Sequence, residues 1–98
     1  LDLEFAGEIA DVYHDYGGIS MTAEQVIELL ARADRGVVRQ VVRYRSPRDT
    51  ADRGMLLDQL ALLLIGQRWP IYGDGREAMV RFRDKLHDAA VAAGYKVV

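Results

Sequence analysis

The sequence predicts an all-α fold, a compact bundle of four to five helices whose last few residues form either a short C-terminal strand or a tail. Three observations predict it. Apolar residues recur at three- and four-residue spacing along most of the chain, the period of a helix with one buried face. Capping residues and glycines punctuate those stretches at helix-length intervals. The longest unbroken apolar run, Leu60 to Ile65, is far shorter than the ~20 residues of a membrane span, so it reads as core.

The first helix is expected over Leu3 to Tyr16. Phe5, Ile9, Val12 and Tyr16 share one face, with Ala6, Ala10 and Tyr13 beside them, and Gly17-Gly18 supply a left-handed stop. The second opens at Thr22, whose hydroxyl can cap the Gln25 amide while Gln25 reaches back; Met21 and Val26 have staple spacing. Val26, Ile27, Leu29, Leu30 and Ala33 form its inner face, and it is expected to end between Asp34 and Gly36.

Val37 to Arg45 reads two ways. Paired valines favour a strand by propensity, whereas Val37, Val38, Val41 and Val42 follow helical pairing; the helix is preferred. Ser46-Pro47 has the cap-plus-proline form of a helix start. That helix passes Gly54 and continues through Met55, Leu56, Leu57, Leu60, Leu63 and Leu64 to Gly66. Its last part is apolar all round, which means that it is central or covered by a partner. A loop over Gln67 to Gly73 carries Trp69-Pro70. Asp74 and Glu77 then form a capping box for a final helix with the stripe Met79, Phe82, Leu86, Ala89, Ala90 and Ala93, closed by Gly94. Tyr95 to Val98 is the terminal strand or tail.

The 98 residues suit a single helical domain, 1–98, and half of them are hydrophobic. The start at Leu1 suggests a trimmed fragment or one domain of a longer protein. With no cysteine, disulfides, cysteine-ligated metals and a thiol nucleophile are excluded, and a reducing cytoplasm is the expected compartment. Arginine outnumbers lysine 11 to 2, a GC-rich coding bias that suggests a bacterial or phage source.

Charge is segregated along the chain. Residues 1–31 carry seven acids and no lysine or arginine, residues 32–53 carry +4, and the rest carry +1. Glu4, Glu8, Asp11 and Asp15 fall at helical spacing as an acidic stripe. Arg32, Arg35, Arg39 and Arg43 would form a basic stripe if one helix continued through them. Solvated faces or internal pairs explain such stripes without function. A partner surface is the functional alternative.

Other chemistries have little support. The segment from Asp15 to Ser20 superficially resembles a calcium-binding EF-hand loop, but aligning Gly18 or Ile19 puts Tyr13, or Val12 and Ala23, at ligand positions. Asp11, His14 and Asp15 share a helix side but lack a second nearby histidine, so no metal and no cofactor is expected. His87 falls on the polar side of its helix. Gly73-Asp74-Gly75 resembles a phosphate-binding turn in which Asp74 itself would repel phosphate. The two serines, Ser20 and Ser46, sit in no nucleophile elbow, so no catalytic residue is assigned and an enzyme is not expected.

The expected function is a non-enzymatic protein–protein interaction module that self-associates as a homo-oligomer or docks on another protein. Partner-binding candidates are Glu4, Glu8, Asp11, Asp15, Arg39, Arg43, Arg45 and Arg48, together with Trp69 and Tyr72 of the aromatic loop. The alternative is a DNA-binding regulator. The helix that ends near Gly36 and the arginine-bearing segment after it loosely resemble a helix-turn-helix, with Gln40 placed to read adenine and Arg39 or Arg43 guanine. Arg32 and Arg45 fall where that motif has apolar residues, and the net charge of −2 disfavours phosphate binding. No membrane partner is expected.

Overall fold

Local capping decides where the helices begin and end. In the computed structural model, which describes residues 2–44, 50–68 and 80–98, α1 runs Leu3–Gly17 behind Asp2, whose carboxylate accepts the Phe5 amide at 2.7 Å. It stops at Gly18, left-handed at φ 67°, whose N–H returns to the His14 carbonyl. Helix α2, Ala23–Arg32, opens on the expected capping box: Gln25 N–H donates to Thr22 Oγ1 at 3.1 Å, and Thr22 N–H to Gln25 Oε1 at 2.9 Å.

The following segment is a helix, α3, Arg35–Arg43. It begins earlier than Val37 because Asp34 Oδ1 accepts the Gly36 amide at 2.8 Å. Gly36 therefore lies in the first turn of α3 and does not end α2, which stops at Arg32. The four-arginine stripe is thereby divided: Arg32 closes α2, and Arg35, Arg39 and Arg43 belong to α3.

Helix α4 spans Thr50–Ile65 and ends at Gly66, φ 72°. The expected start at Ser46-Pro47 lies outside the described residues, as do Trp69-Pro70 and the Asp74/Glu77 box. Helix α5 spans Arg83–Ala92. It ends in a Schellman motif, with Gly94 N–H on the Val91 carbonyl, Tyr95 N–H on Ala90 and Gly94 at φ 89°. The tail is a strand. Lys96–Val97 (β2) pairs antiparallel with Ile19–Ser20 (β1), Ile19 opposite Val97, and Val98 N–H donates to the Gly18 carbonyl at 2.6 Å.

The result is an all-α bundle of five helices among the described residues, with this two-stranded clip. Phe5, Ala6, Ile9, Ala10 and Tyr13 of α1 join Val26, Leu29 and Leu30 of α2 and Val41 of α3 in one core with α4 and α5. Val12 and Tyr16, expected on the inner face of α1, are only partly buried. Six consecutive α4 residues, Leu56 to Ala61, are buried. A helix has more than one turn in six residues, so its whole circumference is covered at that level. The covering comes from this chain itself. Over residues 56–61 α4 therefore calls for no second molecule, whereas residues 62–65, its all-apolar end, are only partly buried. Tyr13 stitches α1 to α4 by donating its hydroxyl to the Leu60 carbonyl at 2.8 Å. Among the described residues no helix is long and apolar enough to cross a membrane.

Two glycines should respond to alanine with opposite signs. At Gly18 a side chain meets the left-handed backbone and the Arg83 guanidinium, 2.5 Å from the new Cβ. The arginine tip can move; the backbone cannot. Gly18→Ala should cost about 1–2 kcal/mol. Gly7 is within α1, with nothing near its Cβ position, so Gly7→Ala should stabilise by roughly 0.5–1 kcal/mol. Urea unfolding of both variants checks the pair; equal signs would contradict the α1 termination described here.

Candidate interaction surfaces

Helix α3 is divided cleanly into two faces. Val37 and Val38 are partly buried and Val41 fully buried against the core. Arg35, Arg39 and Arg43, at successive four-residue steps, point outward and are exposed. Val42, 43% exposed, shares that outer arc. None of the three guanidiniums, nor that of Arg32, meets a carboxylate among the described residues, where the ion pairs are His14–Asp15 and Asp58–Arg68. Arg43 lies over the Tyr44 ring at 5.4 Å, which leaves its charge available on the far side. Gln40 is half-buried. Arg45 and Arg48 lie outside the described residues, as do Trp69 and Tyr72.

The acidic stripe occupies the side of α1 opposite its buried face. Glu4, Asp11 and Asp15 are exposed and Glu8 is half-buried. Asp15 Oδ1 is 3.2 Å from His14 Nδ1. Among the described residues no group of three histidine, cysteine or acidic side chains gathers at a metal-binding spacing. Helix α1 packs chiefly on α2 and α3 chiefly on α4, so each stripe is directed to solvent from its own helix pair.

Two polar features escaped the sequence reading. Asp58 and Gln59 are buried in the middle of α4. Asp58 Oδ2 accepts Arg68 Nη1 at 2.6 Å and Gln59 Nε2 at 3.2 Å, while Gln59 Oε1 has no partner among the described residues. The pair ties the chain leaving α4 back onto the helix. It could have been noticed as the only polar interruption between Met55 and Ile65. His87 is not simply a solvated polar-side residue. It is partly buried, and its Nε2 contacts the Gly17 carbonyl. Arg83 Nε lies 3.3 Å from the same ring nitrogen. His87 thus fastens α5 to the end of α1.

An open apolar groove of 460 Å³ lies between the end of α4 and the outer face of α5, with Leu64, Ile65, Ala89 and Ala92 among its walls. Lys85 and Gln67 also line it, with Lys85 Nζ donating to Gln67 Oε1 at 2.9 Å.

These elements define a small helical bundle with one basic and one acidic helix face. The chain belongs to a family described as a domain of unknown function (DUF8308), which matches residues 6–98. No curated protein and no solved structure matches it.

Proposed function

We propose that this domain is a non-enzymatic protein-interaction module whose working surface is the outer face of α3. The observation that supports this most is the row Arg35, Arg39 and Arg43. The three are held outward by the burial of Val37, Val38 and Val41, and none is neutralised by a carboxylate among the described residues. Arginine keeps its charge at any physiological pH and binds carboxylates through two parallel N–H groups. An exposed apolar side chain, Val42, on the same arc adds a contact that water disfavours. The ligand class is an acidic protein surface. The cytoplasm is the compartment this reading assumes, consistent with a chain free of cysteine.

An oligoglutamate peptide is the direct probe. Wild type should bind it, and R39E/R43E should weaken binding about tenfold or more, because two attractive contacts become like-charge repulsions. Unchanged binding in R39E/R43E would remove α3 as the working surface.

DNA binding is the second reading, favoured by the arrangement of α3 as an exposed basic helix directly after α2. Three phosphate contacts would give log affinity a slope of about −2.7 against log salt. We expect no binding to duplex DNA at physiological salt. Submicromolar, sequence-selective binding there, lost in R39E/R43E, would put the DNA reading first.

A further inference from the structure

We infer that the partner of the α3 face is a second copy of this chain, docked through the acidic stripe of its α1. The inference rests on the reading of α3 as the working surface and adds its occupant. The fold keeps the two stripes from neutralising each other within one molecule. Helix α1 is packed on α2 and α3 on α4, and among the described residues neither Asp11 nor Asp15 meets an arginine of α3. Glu4, Asp11 and Asp15 on α1 and Arg35, Arg39 and Arg43 on α3 therefore remain charged and exposed at the surface of every copy.

The two rows also match in length. Glu4 to Asp15 spans about 16 Å of helix and Arg35 to Arg43 about 12 Å, at ~1.5 Å per residue, and arginine side chains extend the shorter row. The spacings correspond as well: acids fall at steps of four, three and four residues, arginines at steps of four. Two antiparallel helices can thus set Asp11 and Asp15, four residues apart, each against an arginine of the same step. A contact of unlike patches is either doubled across a two-fold axis, each copy giving its α1 and its α3, or repeated head to tail. Both arrangements use the same residues. Such a contact is strong in dilute salt and is screened beyond a Debye length of about 10 Å at 0.1 M.

The test is a mixing experiment by sedimentation velocity at high micromolar concentration. Wild type should associate in about 0.02 M salt and dissociate in about 0.5 M salt. E4R/D11R/D15R has two basic faces and R39E/R43E two acidic ones, so each alone should be monomeric. Mixed, they should associate again, because every α1–α3 contact between unlike variants is complementary. All five positions are exposed, and recovery on mixing also shows that both variants are folded. A wild type that stays monomeric in low salt overturns the inference. So does association that survives either reversal, or variants that stay apart when mixed. If wild type is monomeric while oligoglutamate binding still depends on Arg39 and Arg43, self-pairing fails and the interaction surface stands. If that binding is also indifferent to Arg39 and Arg43, both fail.

Discussion

Leu60→Ala should cost about 3–4 kcal/mol of folding stability, the largest effect expected from a single core truncation here. Leu60 is fully buried at the level of α4 where neighbours surround the helix on all sides, so the space left by the missing atoms cannot be filled by a simple shift. Leucine-to-alanine changes at such sites cost about 2–5 kcal/mol, depending on how far the surroundings relax. A chain of this length has a total stability of roughly 5–15 kcal/mol, so the loss is a large share of the whole. Met55, on the same helix but 43% exposed, is the comparison; Met55→Ala should change stability by less than about 1 kcal/mol. Both are measured by urea unfolding at equal protein concentration. A Leu60→Ala cost below about 1 kcal/mol would mean that the middle of α4 is not packed as described.

Stability should also fall steeply above about pH 10, and Tyr13 should be the cause. Its hydroxyl is buried and donates to the Leu60 carbonyl. Burial, followed by the neighbouring Tyr95, raises its pKa far above the ordinary tyrosine value. The folded state then keeps a proton that the unfolded chain releases. A raised folded-state pKa leaves stability intact below the unfolded value and removes it as pH climbs beyond. The slope is about −1.4 kcal/mol per pH unit once the unfolded tyrosine, near pH 10, has ionised. Tyr13→Phe should lose roughly 1 kcal/mol at neutral pH for the missing hydrogen bond and show a shallower decline in alkali. Unfolding curves for the two proteins should therefore converge as pH rises. Parallel curves would mean that Tyr13 reaches solvent.

Much of this fold was legible because its signals are local. The Thr22–Gln25 box and the glycines at 18, 66 and 94 act within a few residues, and the structure places them as expected. The boundary between α2 and α3 was misplaced where two local signals compete. Gly36 suggests an ending, but Asp34 two residues earlier supplies a start, and the cap prevails because it satisfies an otherwise open amide. Strand β1 was invisible. Two residues have no period, and the partner that makes Ile19–Ser20 a strand is at the far end of the sequence. Asp58 and Gln59 were passed over because their own polarity argues for the surface; their burial follows from helices that pack around them. The outward aim of Arg35, Arg39 and Arg43 could be read from the valines between them. Whether those arginines meet the acids of α1 depends on which helix pairs form, and no spacing along the chain encodes that.

The strand clip has a consequence for the order in which this molecule assembles. Helices α1 and α2, and likewise α3 and α4, are neighbours in sequence, and their contacts close short loops. The pairing of Ile19 with Val97 closes nearly the whole chain. Contacts of that reach cost the most chain entropy and form once most of the structure already holds the ends near each other. With only two residues, the outer strand β2, flanked by exposed Val98, is expected to open at lower free energy than the helices, while Ile19 of β1 is fully buried and stays with the core. The terminal strand that Val98 ties to the Gly18 carbonyl is thus expected to be the last part of the fold to set and the first to loosen.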